Sequence, residues 1–167
     1  MHDMEQPAPW TSSWRGDKAT VYAELADALD GLLAGEPDRV ANAANAAAAI
    51  YHAVGSLNWA GFYFLHNGQL VLGPFQGRPA CVRIPLGKGV CGTAAAQRRS
   101  VLVPDVNAFP GHIACDGASR SELVVPLLVG DDLLGVLDLD SPLPARFDAA
   151  DQAGCEMLAK VLARHLA

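Results

Sequence analysis

Two hairpin signals divide the middle of this chain and restrict what it can fold into. Asn67-Gly68 separates the aromatic run Leu57–Leu65 from Gln69–Leu72, and Gly130-Asp131 separates Glu122–Val129 from Leu133–Leu139. Asn-Gly tolerates the left-handed backbone of a two-residue turn, so each signal joins antiparallel neighbours rather than parallel strands. Cys81–Ile84 and Val101–Val103 read as two further short strands. Between them, Gly87-Lys88-Gly89-Val90-Cys91-Gly92 is a glycine-rich bend that opens a short helix through Gln97. Residues 104–120 carry Pro, Gly, His, Cys and Asp without periodicity, and a loop of that length in a compact domain tends to be functional.

Helices bracket these strands. Val21, Leu25, Leu29 and Leu32 recur at helical spacing from Lys18 until Gly35-Glu36-Pro37 ends the run. Pro37 suits the first turn of a second helix, built on Val40, Ala43, Ala44, Ala47, Ile50, Tyr51 and Val54 and closed by Gly55. Asp148 caps a last helix with Asp151 in its first turn, and its expected buried stripe is Met157, Leu158, Val161, Leu162 and Leu166. Residues 1–16 read as a flexible arm and residues 17–167 as one α+β domain, an antiparallel sheet flanked by the N- and C-terminal helices. The Ala-rich face of the second helix suits close packing, and it is a candidate surface for a homodimer.

Charge and hydropathy exclude several functions. The formal net charge is -6 and the basic residues are scattered, so nucleic acid is not an expected partner. No stretch reaches the roughly 18 unbroken apolar residues of a membrane span, and the acidic, proline-broken start does not resemble an export signal. The expected location is the cytoplasm, where four cysteines are more often thiols, metal ligands or catalysts than structural disulfides.

Cys155 lies near the apolar stripe of the last helix and reads as a small buried hydrophobe. Cys81, Cys91 and Cys115 each adjoin a turn or loop. Cys91 sits at a helix entrance, where unpaired N–H groups favour a thiolate. Cys115 follows His112 by three residues in the long loop. Zinc would want four ligands, and Cys81, Cys91, Cys115 and His112 would supply them, but zinc sites usually take ligands in close pairs. Redox chemistry asks only for an exposed thiolate and a second thiol that reaches it, which widely spaced cysteines satisfy; the expected metal set is therefore none. Three unused thiols are the plain alternative.

Asp138 and Asp140 alternate on a strand whose other positions, Leu137 and Leu139, face the opposite way. Two acids on one face of an otherwise apolar strand are costly to bury without a task. If the two strands of the second hairpin pair, Glu122 joins them, and like charges so close force at least one carboxyl to keep its proton near neutral pH. That would place a general acid beside a nucleophilic thiol. An exposed sheet edge with solvated acids is the plainer reading. Trp59 and Tyr63, four apart, share a strand face and would wall a small apolar pocket.

The stretches NWAGFYFLHNGQLVLGPFQGRPACVRIPLGKGVCGTAA, VPDVNAFPGHIACDGASRSELVVPL, GVLDLDSP and RFD together resemble the free methionine-(R)-sulfoxide reductases, which are stand-alone GAF-type domains. The resemblance implies a GAF-like fold and Cys115 as nucleophile, with Cys91 and Cys81 as resolving thiols. It implies that Glu122, Asp138 and Asp140 bind substrate and donate the proton, Glu122 and Asp140 being catalytic. Trp59 and Tyr63 match pocket-lining positions. The implied partners are free methionine-(R)-sulfoxide and thioredoxin as external reductant, with no bound cofactor. Reduction would run through a sulfenic acid and an intramolecular disulfide. The rival functions are a ligand-sensing GAF domain without catalysis and a zinc-stabilised interaction module.

Overall fold

The computed structural model describes residues 16–113 and 116–167; the arm expected at the N-terminus lies, except for Gly16, outside the described residues. Helices α1 (Lys18–Leu33) and α2 (Arg39–Val54) come first. Strands β1 (Trp59–His66), β2 (Gln69–Gly77) and β3 (Arg83–Pro85) follow, then α3 (Gly89–Gln97) and β4 (Val101–Val103). After a 3₁₀ turn at Val106–Ala108 the chain ends with β5 (Ser121–Val129), β6 (Asp132–Ser141) and α4 (Ala149–Leu166). The six strands form one sheet in the order β3-β2-β1-β6-β5-β4, antiparallel at every pairing. Both hairpins fall where the turn residues put them: Asn67 and Gly68 have φ of 50° and 78°, the left-handed pair that a tight hairpin requires.

The sheet has two differently used faces. On one, Ala60, Phe62, Leu123, Val125, Leu127, Leu137 and Leu139 meet α1, α2 and α4 in the main core. On the other, Trp59, Tyr63, Val124 and Val136 pack with Leu70, Ile84 and α3 in a second, smaller core. Period-two alternation sends successive residues of β1, β5 and β6 to opposite faces, so one strand serves both layers.

The helices dock with small departures from the expected stripes. The face of α1 runs through Tyr22, Leu25, Ala26, Leu29 and Leu33, and Leu32 is exposed. Asp38, not Pro37, opens α2: its side chain accepts a hydrogen bond from the Ala41 N–H, while Val40 points to solvent. In α4 the stripe excludes Met157, which is exposed, and includes Cys155, Leu158, Leu162 and Leu166. The alanine face of α2 (Ala43, Ala46, Ala47, Ala53) is buried against the protein's own sheet and α1. It is therefore not available as the homodimer surface that the sequence suggested.

Asp148 and Asp151 form a reciprocal capping box at the start of α4. Asp151 is fully buried and takes Lys18 Nζ at 2.7 Å, Arg146 Nη1 at 3.4 Å and the Tyr22 hydroxyl at 2.8 Å. This knot ties α1 to α4. Gly154 makes the contact sterically feasible, because a Cβ there would sit 2.1 Å from the Tyr22 ring.

Candidate active site

Register on the second face assembles the acids. Asp140 pairs with Trp59 on one side and Glu122 on the other, and in the next row of that face Asp138 pairs with Gly61 and Val124. Directly paired residues project to the same side, so Trp59, Asp140 and Glu122 stand in one row with Asp138 in the next. All three carboxyls are buried, at 6 % exposure or thereabouts: 6 % for Glu122, 5 % for Asp138 and 8 % for Asp140. They form one wall of a partly open cavity lined elsewhere by Trp59, Tyr63, Ile84, Cys91, His112, Ile113 and Asp116.

Burial raises the proton affinity of every acid in this wall. Glu122 is pushed well above the ordinary carboxylate range by burial and then by the charge of Asp138. Asp138 is raised by burial and by Asp140, and Asp140 by burial and by Glu122. Each ionised member makes ionisation of its neighbours costlier, so the cluster titrates as a unit and retains protons near neutral pH. Asp138 lines the cavity, and its Oδ1 is buried without a hydrogen-bond partner among the described residues. His112 Nε2 lies 3.8 Å from Glu122 Oε1. Burial pushes His112 down while Glu122 is pushed up, so the pair is two neutral groups rather than an ion pair.

The aromatic side is equally ordered. Trp59 stacks on Phe75 at 5.1 Å and on Tyr63 at 5.9 Å between ring centroids. Its Nε1–H donates to the Arg78 carbonyl at 3.1 Å, and the Tyr63 hydroxyl donates to the Cys81 carbonyl at 2.9 Å. These two bonds hold the 78–81 segment against the mouth of the cavity. Phe75 approaches β1 at Gly61, where a Cβ would lie 2.3 Å from the Phe75 Cβ, so this stacking needs glycine there.

The cysteines divide sharply. Cys81 is disulfide-bonded, whereas Cys91 and Cys155 carry free thiols. Cys91 is not the thiolate that its helix-entrance position suggests. Burial, followed by the charges of Asp138, Glu122 and Asp140, pushes its thiol well above the ordinary value, and this outweighs the dipole of a nine-residue helix. Its Sγ lies 4.0 Å from Glu122 Oε2. Cys155 is the buried hydrophobe expected, with its thiol raised to about 12 by burial and directed at the Tyr22 hydroxyl 3.8 Å away. Cys115 and Ala114 lie outside the described residues, but Ile113 and Asp116 on either side of them both line the cavity. With Cys81 in a disulfide, the zinc set Cys81, Cys91, Cys115 and His112 is not assembled.

Sequence reasoning missed Asn58 and Ser119. Asn58 Nδ2 donates to Asp116 Oδ2 at 3.1 Å and to Ser119 Oγ at 3.0 Å, pinning the far end of the long loop to the start of β1. Asp116 also accepts the Ala118 N–H at 2.9 Å, and this bond leads the effects that hold its carboxyl below the usual range. The Asp-Gly pair at 116–117 was a turn signal within reach of the sequence; the Asn58 link spans 58 residues and had none.

Comparison with known proteins agrees with this architecture. The GAF domain family model matches residues 29–167. The free methionine-R-sulfoxide reductase of Escherichia coli (strain K12) is 48 % identical over 151 residues, covering 90 % of this chain and 92 % of that protein. A crystal structure described as a putative GAF sensor protein from Burkholderia vietnamiensis is 58 % identical, with a TM-score of 0.87 over 90 % of this chain and 96 % of that one. The free methionine-R-sulfoxide reductase of Neisseria meningitidis, solved in complex with its substrate, is 46 % identical, with a TM-score of 0.87 over 93 % of each chain. With a family model across most of its length and a named reductase aligned nearly end to end, the chain belongs to the GAF domain family and, within it, to the free methionine-R-sulfoxide reductases.

Proposed function

We propose that the protein reduces free L-methionine-(R)-sulfoxide to methionine, with Cys115 as nucleophile and the buried carboxyl cluster as the source of the proton. The observation that carries this reading is the wall of three buried, proton-retaining acids beside the aromatic pair Trp59 and Tyr63 on one face of the sheet. A sulfoxide oxygen leaves only when protonated, and a buried neutral carboxyl is a suitable donor. The apolar face of Trp59 suits the methyl-thioether end of the substrate. Asp138, with its unpartnered oxygen, suits the ammonium group.

In the first step the Cys115 thiolate attacks the sulfoxide sulfur while Glu122 gives its proton to the oxygen. The hydroxyl so formed migrates from the substrate sulfur to the Cys115 sulfur as the transient S–S bond breaks, so methionine departs as the thioether and Cys115 becomes a sulfenic acid. In the second step a resolving thiol attacks that sulfenic sulfur, forming a disulfide and releasing water. We assign this role to Cys81, which is disulfide-bonded at the cavity mouth, in preference to Cys91, whose buried neighbours are acids that oppose thiolate formation. An external dithiol, thioredoxin by family resemblance, then reduces the disulfide, and such a cycle suits the reducing cytoplasm. No bound cofactor enters these steps. Recognition of a free ammonium group would also exclude methionine sulfoxide within a peptide, which would leave the carboxylates unpaired.

The test is release of methionine from each sulfoxide epimer, free and peptide-bound, with thioredoxin, thioredoxin reductase and NADPH. Turnover of the free R epimer alone is expected. Activity confined to the S epimer or to peptides would overturn the assignment. If no substrate turns over, while a small molecule binds the cavity, the protein is a sensing GAF domain instead.

A further inference from the structure

We propose that the cavity floor is also a binding site for a thiophilic divalent cation of the Zn²⁺ class, held by Cys91 Sγ, Glu122 and Asp138, and that this ion and the substrate exclude one another. The exclusion rests on the reductase reading above; the metal site does not.

Three observations carry it. One donor atom from each of Cys91, Glu122 and Asp138 lies within 4.8 Å of the others, and all three residues are buried. Around a tetrahedral zinc, with bonds of about 2.0–2.3 Å, donors stand roughly 3.3–3.6 Å apart. The 4.0 Å from Cys91 Sγ to Glu122 Oε2 thus needs to close by only a few tenths of an ångström. Second, Asp138 lines the cavity and its Oδ1 is buried with no hydrogen-bond partner among the described residues, so an acceptor there is uncommitted. Third, the donors sit on three elements fixed by the fold: Cys91 on α3, Glu122 on β5 and Asp138 on β6, the last two strands being paired in register. His112 Nε2 lies 3.8 Å from Glu122 Oε1 but outside the three-donor group, so the fourth position falls to solvent.

The donor set selects the metal. One thiolate with two carboxylates favours zinc and its soft or borderline neighbours over Mg²⁺ or Ca²⁺, which prefer oxygen throughout. Entry of the ion displaces to solvent the Cys91 proton and those held by Glu122 and Asp138, and its positive charge replaces them among the buried acids. The substrate ammonium would answer the same need, so the two cations compete for one nest of oxygens. This gives Cys91 a use that does not require it to resolve the sulfenic acid.

Co²⁺ tests the site without reference to turnover, because a thiolate bonded to Co²⁺ produces a charge-transfer band in the near ultraviolet. The full chain is titrated in its oxidised form, in which Cys81 is already disulfide-bonded. The proposal expects one equivalent of Co²⁺ to raise the band and Zn²⁺ to displace it, with no response to Mg²⁺. Cys91→Ser should abolish the band, and Cys155→Ser should retain it. Asp138→Asn supplies a second variant if Cys91→Ser does not fold, and it too should weaken the ion. A band that survives Cys91→Ser in folded protein, or is lost in Cys155→Ser, overturns the site, as does its absence in the wild type. In the activity arm, Zn²⁺ should inhibit sulfoxide reduction competitively, with recovery on adding EDTA. Inhibition that excess substrate does not relieve would overturn the exclusion. A Co²⁺ band in a protein without reductase activity would refute the proposed reaction and leave the metal site standing.

Discussion

Replacing Glu122 by glutamine removes one proton from the site and almost nothing else. The side chain keeps its size, and its hydrogen-bonding neighbours in the row formed with Asp140 remain in place. A positioned general acid contributes ~10²–10⁴-fold to rate, which at about 1.4 kcal/mol per decade is ~3–5 kcal/mol on the barrier. Here the loss should fall toward the lower end, about 10²-fold in kcat, because Asp138 and Asp140 also retain protons in the same cavity and offer a poorer-placed substitute. KM should change little, since the ammonium contact assigned to Asp138 survives. The pH profile carries the sharper signature. Wild-type turnover should fall on the alkaline side as the raised Glu122 carboxyl ionises, and that limb should be replaced in Glu122→Gln by one belonging to the remaining acids. The assay is steady-state methionine release across pH with thioredoxin held saturating. A variant within about threefold of wild type that keeps the same alkaline limb would refute the donor role.

Cys115→Ser should abolish turnover with the melting curve of the reduced wild type, while Cys81→Ser should release about one methionine per chain in a single-turnover experiment and then stall; normal cycling by either would redirect the roles. Trp59→Ala should raise KM more than it lowers kcat, as read in steady-state kinetics, because it strips an apolar wall and no proton donor. Gly154→Ala should cost about 1–3 kcal/mol in urea unfolding, since its Cβ would meet the Tyr22 ring at 2.1 Å and both helices must give way. The acid cluster also fixes how stability depends on pH. Its folded pKa values lie above the unfolded ones, so above the ordinary carboxylate range the folded state holds more protons and stability declines as pH rises. Thermal melts from pH 5 to 8 should show that decline, flattened in Glu122→Gln or on adding free methionine; a slope unaffected by either would place the protons elsewhere.

The sheet was legible because its signals are local. Asn67-Gly68 and Gly130-Asp131 fix two hairpins, and alternation along Leu137-Asp138-Leu139-Asp140 separates the core face from the cavity face without knowledge of partners. Pairing of Glu122 with Asp140 was not legible: the tight turn alone would set Glu122 opposite Leu139, and a shift of register between Leu127 and Leu128 is what brings it opposite Asp140 and onto the cavity face. Helix rotation was less legible. Val21, Leu25, Leu29 and Leu32 form a plausible stripe, but the buried Asp151 draws Tyr22 inward and turns Leu32 outward. Cys91 was misjudged for a related reason. The dipole at a helix start is visible in sequence, whereas three acids brought to the same thiol by strands 31 to 49 residues later are a product of tertiary structure. The third dimension reversed the sign of the effect.

That reversal bears on how the proposed reaction would divide its labour. A sulfoxide needs a thiolate on sulfur and a proton on oxygen at one moment, and these demands conflict within a single buried nest. Acids crowded enough to stay protonated, as Glu122, Asp138 and Asp140 are, also hold any thiol among them protonated, as they do Cys91. In the proposed reaction the nucleophile therefore belongs on a different element. Cys115 meets that condition by its place in the chain: it lies in the connection between β4 and β5, while the acids are fixed in the sheet. Moving the thiol into the acid wall should raise its pKa as it does that of Cys91, so a second-site thiol such as Val124→Cys, placed beside Asp138 in the same register, should not rescue Cys115→Ser. Rescue by that variant would mean that proximity to the acids, rather than separation from them, sets the reactivity of the attacking sulfur.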